Sequence, residues 1–367
     1  MRPRPATPAE MAAAPVGRLL VVRQQNQMGD MVCALPALGA LRRAYPRARL
    51  TFVAAPLCEE LLRDHPDIDE LLVFRQREMW HPGRLLGFVR RLRRPRPDLA
   101  VVMTTVSFST TSALLAWASG ARWRVGASSL PFGSQLSRAI YHLELPLGPE
   151  GVHEVEHNLA PLRAMGIAAP LQGPRLEPQP AALARARAFL ERQLPGAGGP
   201  LLFVHAGAGK RPNVWPPERF ASVIEALGRE RRARAVLVEG PSAIDAEATA
   251  GVHAALGSAA PVWRAPLGDA LGMMALADIA LCNDTGLAHV AAAVGIPTIV
   301  VFGPTDVQRW KPWGDHVRAV CSPTGCIDDI GIEPVLQAVR AGLDMRASAG
   351  AAAPAGAPSP ARPRFGP

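Results

Sequence analysis

The sequence predicts an α/β protein made of two Rossmann-like, doubly wound domains, and three observations carry that expectation. The chain has 367 residues, 49% of them hydrophobic, which is too long for a single core and ample for two. Short β-branched runs alternate with helical patterns along most of its length. A stretch rich in Pro and Gly, near residues 166–200, interrupts the alternation in the middle.

The elements follow in order. Arg18–Arg23 (RLLVVR) reads as a buried strand, and a turn at Gln24–Gly29 leads to a helix over Asp30–Tyr45 that aligns Leu35, Leu38 and Leu41. Strand Arg49–Ala54, helix Leu57–Asp64 and strand Glu70–Phe74 come next, then an amphipathic helix over Arg84–Arg94 and a strand over Asp98–Met103. A helix lies within Pro174–Pro195. Strands are then expected at Leu201–His205, Ala235–Glu239, Ile279–Cys282 and Thr298–Phe302. The resulting division is a disordered tail at 1–16, a first domain at 17–170, a linker with its helix at 171–199, a second domain at 200–346 and a disordered Ala/Pro tail at 347–367. Two such domains are expected to hold a ligand at the carboxyl ends of their strands, in a crevice between them.

Composition narrows the function. There are 40 Lys+Arg against 31 Asp+Glu, a net charge of +9, yet the only lysines are Lys210 and Lys311. Much of the excess crowds into Arg84, Arg90, Arg91, Arg93, Arg94 and Arg96. Aromatic residues are only 5%, with no zinc-finger, helix-turn-helix or strand-stacking motif, so a nucleic-acid partner is not expected. Five cysteines, an odd number, fit a reducing compartment. Residues 1–16 lack the apolar core of a signal peptide, and the longest uncharged run, Leu99–Ala121, is full of Ser and Thr. A cytoplasmic protein without a membrane-spanning helix is expected. Cys321 and Cys326 read as ordinary thiols and Asp328-Asp329 as solvated carboxylates, so no metal site is expected.

Three stretches carry chemistry. In Gln27-Met28-Gly29-Asp30, Gly29 permits a sharp turn and Asp30 falls at a helix start, where it reads either as an N-cap or as a base. In Cys282-Asn283-Asp284-Thr285-Gly286-Leu287-Ala288-His289 a strand passes into a small-residue helix, whose first N–H groups and positive dipole end suit a phosphate. Thr285 adds a hydroxyl, Gly286 allows close approach, and His289 follows one turn on. His205-Ala206-Gly207-Ala208-Gly209-Lys210-Arg211 is a Gly-rich loop with two cations, able to cradle phosphate oxygens, though it is not a Walker loop. The arginine-rich helix reads as an ordinary surface helix or as a contact for an anionic membrane or acceptor.

Together these stretches resemble glycosyltransferase family 9, the heptosyltransferases of lipopolysaccharide assembly, over nearly everything from Arg18 to about Asp344. The resemblance rests on RLLVVRQQNQMGDMVCALPALGALRRAYPRARL, PDLAVVM, HEVEHNLAPLRAMGI, LLFVHAGAG…VWPPERF and ALADIALCNDTGLAHVAAAVGIPTIVVFGPT. It implies a GT-B architecture, with the acceptor on the first domain and the nucleotide sugar on the second. It also implies inversion at the anomeric carbon with no metal and no cofactor beyond the donor, ADP-heptose. Asp30 matches the family's general base. Gly29, Arg90 and Arg91 are expected to meet an anionic glycolipid or glycan acceptor. Gly207, Ala208, Lys210, Arg211, Asp284, Thr285, Gly286 and His289 are expected to meet the donor. Asp245 is expected at the ribose, with Glu239 as its rival. The family's usual lysine two residues before the tryptophan matching Trp215 is here Asn213, which leaves Lys210 or Arg211 to replace it. Peripheral contact with the inner face of the cell membrane is expected. The alternatives are another nucleotide sugar or glycan acceptor, or a catalytically silent nucleotide-sugar or polyanion-binding protein.

Overall fold

The computed structural model describes residues 3–12, 14–103, 107–196 and 198–351, and the chain divides into two compact units, Met1–Pro174 and Arg175–Pro367. In the first, helix α1 (Pro8–Ala12) precedes β1 (Arg18–Arg23), α2 (Met28–Ala44), β2 (Arg49–Ala54), α3 (Glu59–Leu62) and β3 (Glu70–Val73). Then come α4 (Pro82–Arg93), β4 (Leu99–Val102), α5 (Thr110–Ala118), β5 (Trp123–Ala127), α6 (Leu136–Ile140), β6 (Leu143–Leu145) and α7 (Glu154–Ala164). The strands form one parallel sheet in the order β3-β2-β1-β4-β5-β6. β1 sits at its centre with five of six residues buried, as a strand covered by helices on both faces requires.

The sheet order fixes which helices share a layer. The chain winds from β1 outward to β3, then crosses back to β4 and on to β6. Right-handed crossovers therefore put α2 and α3 on one face and α4, α5 and α6 on the other. Packing agrees with this: Phe88 and Leu92 of α4 share a core with Ala113, Leu115 and Ala116 of α5 and with Ile140 of α6.

The second unit holds α8 (Pro180–Gln193), β7 (Leu201–His205), α9 (Pro217–Arg231), β8 (Arg234–Val238), α10 (Ala243–Ala255), β9 (Val262–Trp263) and α11 (Leu267–Leu276). These are followed by β10 (Ile279–Asn283), α12 (Gly286–Val294), β11 (Thr298–Phe302), α13 (Val307–Trp310), β12 (Val317–Cys321) and α14 (Ile332–Ala351). Its six parallel strands lie in the order β12-β11-β10-β7-β8-β9, so the winding reverses between β7 and β10.

Several expectations need correction. The N-terminal stretch is not shapeless over its described part. Thr7 and Glu10 exchange capping bonds around Pro8 (Thr7 N–H to Glu10 at 2.8 Å, Glu10 N–H to Thr7 Oγ1 at 3.2 Å), and Met11 is buried. At the other end α14 runs on to Ala351, while the remainder of the expected tail, residues 352–367, lies outside the described residues. The helix assigned to a linker is α8, which packs on α11 within the second unit, so the unit boundary falls at 174/175. The edge strands β6, β9 and β12 and the next-to-edge strand β5 are not among the expected strands: β9 is only two residues long, and the others are interrupted by Arg124, Glu144 and Arg318, so none forms a clear apolar run.

The α8–α11 contact depends on a missing side chain. A Cβ at Gly272 would lie 2.4 Å from the Ala182 carbonyl oxygen and 2.9 Å from the Leu183 nitrogen, both backbone atoms. Gly272→Ala is therefore expected to destabilise the second unit by about 1–3 kcal/mol. That corresponds to a few degrees in thermal midpoint, since about 2–4 °C accompany each kcal/mol in a domain of this size. Differential scanning calorimetry checks it, and an unchanged midpoint would show that α8 is not seated as described.

Candidate active site

In the first unit the chemistry gathers where β1 ends. Arg23, its last residue, is 3% exposed, although burying a guanidinium is costly unless its donors are satisfied. They are satisfied in three directions. Nη1 donates to the Met103 carbonyl and to Asn158 Oδ1, each at 3.0 Å, and Nη2 donates to the Asp30 carbonyl at 3.0 Å. Asn158, on α7, is itself held by the Glu154 carbonyl at 2.7 Å and Glu154 Oε1 at 3.3 Å. Burial pushes the guanidinium pKa down, and the charges of Asp30 and Glu154 offset this.

Asp30 is the third residue of α2, not its cap. The helix begins at Met28 and Gln27 is the extended residue before it, making no side-chain capping bond. Gly29 accordingly sits inside the first helical turn. The Asp30 carboxylate lies 3.9 Å from Arg23 Nη2 and is 16% exposed, at the carboxyl end of the sheet. The N-cap reading of Asp30 is thus overturned by the two extra residues at the start of the helix. Arg90 and Arg91 are not brought to it. They lie near the C-terminus of α4, in the layer on the other face of the sheet and toward the amino ends of the strands.

The second unit places its loops at the switch point between β7 and β10, where the following helices leave toward opposite faces. Asn283, the last residue of β10, is fully buried. Its amide donates to the Ala206 carbonyl at 2.6 Å and the Gly207 carbonyl at 3.4 Å, and its Oδ1 accepts the Trp215 N–H at 3.2 Å. One amide therefore shapes the Gly-rich loop and anchors the buried Trp215, whose indole donates to the Ile330 carbonyl. Thr285 is the N-cap of α12, extended, with no side-chain capping bond, so the first-turn N–H groups of Gly286 and Leu287 are not taken up by the Thr285 hydroxyl and face out of the helix start.

Asp284 stands beside this helix start, accepting from Asn213 Nδ2 at 3.0 Å; the same amide also reaches Thr305 Oγ1 at 3.2 Å. Burial raises the Asp284 pKa, opposed by the Thr305 hydrogen bond and by the charge of Lys210. Asn213 thus does something a lysine would do differently: it bridges two loop ends as a neutral donor. Lys210 is exposed and forms no ion pair among the described residues.

Other expected donor residues are placed elsewhere or are engaged. Arg211 makes a two-point pair with Glu247 at 2.8 and 3.1 Å and is 70% exposed. Asp245 closes a capping box with Ser242, accepting its N–H at 2.9 Å and its hydroxyl at 2.7 Å. Gly207 and Gly240 lie against the same carboxylate, where a Cβ on Gly207 would come within 2.0 Å of Oδ1. Gly207 is therefore needed for this close approach, and Asp245 serves the fold of the loops. Glu239, its rival for the ribose, pairs with Arg264 at 2.9 Å. Ala208 and His289 are buried. Sequence reasoning missed Arg23, Asn158, Glu154 and Asn283. The visible signal for Arg23 and Asn283 was a polar residue terminating an otherwise apolar strand.

A helix start, an exposed lysine and Gly-rich backbone at a parallel-sheet switch point are the arrangement in which α/β proteins hold phosphate-bearing ligands. The family model described as glycosyltransferase family 9 (heptosyltransferase) matches residues 85–339, more than half of the chain, and the chain belongs to that family. It is a glycosyltransferase of the GT-B fold. It is 26% identical over 297 residues to lipopolysaccharide heptosyltransferase 3 of Escherichia coli, covering 79% of this chain and 84% of that protein. It is equally 26% identical over 320 residues to lipopolysaccharide heptosyltransferase 2 of Salmonella typhimurium, covering 83% and 88%. The fold matches the glycosyltransferase family 9 structure from Veillonella parvula with a TM-score of 0.81 at 21% identity, covering 90% of this chain and 98% of that one. It also matches E. coli ADP-heptose LPS heptosyltransferase II, with a TM-score of 0.73 at 23% identity, covering 90% and 99%.

The buried Arg23 cluster generates a stability test. Arg23→Met removes the cation but leaves Glu154 and Asp30 facing a buried gap, so a loss of about 3–5 kcal/mol is expected. Urea denaturation of the purified variant measures it; a loss below 1 kcal/mol would mean the charges are not coupled through Arg23.

Proposed function

We propose that this glycosyltransferase moves a heptose from ADP-heptose to a lipopolysaccharide-core type of acceptor, with inversion, without a metal ion, and with Asp30 as general base. The observation that carries the reading is that a carboxylate at the carboxyl end of one Rossmann-like sheet is fixed by a buried arginine, while the other sheet presents an anion-binding helix start beside Lys210. The names of the relatives support the sugar and the acceptor. A further fold match, E. coli heptosyltransferase WaaC with ADP-2-deoxy-2-fluoro heptose, supports the donor.

In the proposed reaction the acceptor hydroxyl gives its proton to Asp30 as its oxygen attacks the anomeric carbon, and ADP leaves from the opposite face of the sugar. Holding the Asp30 backbone and carboxylate against Arg23 keeps the base oriented. The leaving diphosphate gains negative charge, which the α12 N–H groups, the Thr285 hydroxyl and the Lys210 ammonium stabilise in the place where other enzymes put a divalent cation. Lys210, with a flexible stem, closes on the phosphates; Arg211 stays with Glu247. The acceptor is an anionic glycolipid, reached at the inner face of the cell membrane.

Asp30→Asn is expected to lower kcat at least 100-fold with donor affinity unchanged, the size ordinarily lost with a positioned base. Isothermal calorimetry with ADP and a coupled ADP-release assay separate the two, and near-normal turnover removes the base assignment. Lys210→Gln is expected to weaken ADP binding about 10- to 100-fold, the range for a hydrogen bond to a charged group. Arg211→Gln should change it less than twofold, and the reverse order would assign the phosphates to Arg211. Turnover should persist in excess EDTA. A panel of ADP-, UDP- and GDP-sugars tests the donor, with productive use of a UDP- or GDP-sugar alone overturning it.

A further inference from the structure

The net charge of the chain is not spread over it. Residues 79–143 contain nine arginines, no lysine and a single acidic residue, Asp98, a net of +8 out of the chain's +9. In the fold this stretch builds the layer of α4, α5 and α6 on one face of the first sheet, together with β4, β5 and the turn Leu130–Phe132. Arg90, Arg91, Arg94 and Arg96 are exposed, and none of them pairs with a carboxylate among the described residues.

The same layer carries most of the large apolar side chains that the described residues leave in solvent. Trp80 is 86% exposed, Trp117 56%, Leu86 51% and Leu114 45%; Leu130 and Phe132, in the turn before α6, are also exposed. Leu114 and Trp117 are three residues apart on α5, opposite its buried face of Ala113 and Ala116. Leu86 lies seven residues before Arg93 on α4, on the same flank, and Arg93 Nε donates to the Ala118 carbonyl at the end of α5 at 2.7 Å. The two helices are thus stitched side by side, and Leu86, Leu114 and Trp117 are exposed on the same layer as Arg90, Arg91 and Arg94, which have no carboxylate partner among the described residues. Solubility does not call for exposed tryptophan and leucine within a dense cation field. An interface that is apolar at its depth and anionic at its surface does, and that describes a bilayer with acidic headgroups.

We infer that the α4–α5 layer of the first domain is a membrane-docking face, on which Leu86, Leu114 and Trp117 enter the headgroup–acyl boundary while Arg90, Arg91 and Arg94 bind anionic phospholipid. This deepens the reading of a membrane-held glycolipid acceptor and rests on it for its purpose, but not for its measurement. Lipid contact here lies on the opposite face of the sheet from α2, so the docked layer leaves the Asp30 side uncovered.

The test is sedimentation of the full chain with vesicles of phosphatidylcholine alone and of phosphatidylcholine containing phosphatidylglycerol, at low and high salt. Binding is expected only to the anionic vesicles and to weaken with salt. The triple variant Arg90→Gln, Arg91→Gln, Arg94→Gln should bind them roughly 100-fold more weakly, since each basic residue near such a surface contributes about a fivefold effect. Leu114→Ser with Trp117→Ser should lose about tenfold or more. Because a variant can fail to fold, bromolipid quenching of indole fluorescence in the unmodified chain, compared with Trp117→Phe, reads insertion directly, and the quenching should fall in the latter. Equal binding to both vesicle types, variants that bind like the parent, or binding of a duplex oligonucleotide with none to vesicles each overturns the proposal. None of these readouts needs sugar transfer, so a failure here leaves the Asp30 reaction standing, and an inactive Asp30→Asn variant that still binds vesicles leaves the docking face standing.

Discussion

The first domain is organised around one buried cation. Arg23 ends the central strand, and desolvating it costs several kcal/mol that only correctly placed acceptors return. Those acceptors come from the first turn of α2, the residue just after β4 and the middle of α7, sites that are 7, 80 and 135 residues away along the chain. Each is therefore located by the same planar group. A lysine could not do this, because one ammonium on a flexible stem does not project donors along several fixed directions at once. The consequence for chemistry is that the Asp30 backbone is held from below by a charge while its carboxylate stays partly exposed. A carboxylate used as a cap would instead have its oxygens occupied by helix N–H groups.

The second domain meets the corresponding need with a neutral group. Asn283 ends β10 as Arg23 ends β1, but its amide has one acceptor and two donors, matched to the Trp215 N–H and to the carbonyls of the Gly-rich loop. A neutral anchor suits a place beneath an anion-binding helix start, since it fixes backbone without adding a permanent charge under the ligand. The adjustable charge is on the surface, in Lys210, and the half-buried Asp284 is the group it offsets. Arg211, one residue further on, is held instead in an exposed two-point bond to Glu247.

The division between what was legible and what was not follows the same physics. Strands buried on both faces announce themselves as apolar runs, and β1, β2, β7 and β11 coincide with their sequence-based limits. Strands at or next to the sheet edges do not, because they are less completely covered and admit residues such as Arg318 on the edge strand β12 and Arg124 on β5 beside the edge. Caps were readable in principle. Thr7-Pro8-Ala9-Glu10 and Ser242-Ala243-Ile244-Asp245 are both capping boxes by spacing, yet the first lies in a low-complexity context and the second carries a carboxylate after a strand-end Gly, a position that equally suits a ribose. The motif positions of Asp30, Thr285 and Gly286 were visible as helix starts after strands. The partners that orient Asp30 were not, since two of the three acceptors of Arg23 lie far away in sequence and two of the three are backbone carbonyls, which carry no residue signature.

Charge, finally, is distributed by function and not by composition. Outside residues 79–143 the chain is close to neutral. In the second domain several arginines meet carboxylates: Arg185 with Asp269, Arg231 with Asp344, Arg264 with Glu239 and Arg340 with Glu230 and Glu333. Such surface pairs add little stability, but they cancel the field beyond about one Debye length, roughly 8 Å at physiological salt. Among the described residues Arg90, Arg91, Arg94 and Arg96, at and just after the C-terminal end of α4, have no such carboxylate partner, so much of the long-range field of the first domain originates there. Arg23 and Asp30 cancel each other within 4 Å and are shielded from salt by burial. Ionic strength therefore acts on the outer layer and not on the pair at the end of β1, which physically separates the capture of an anionic surface from the proton transfer assigned to Asp30.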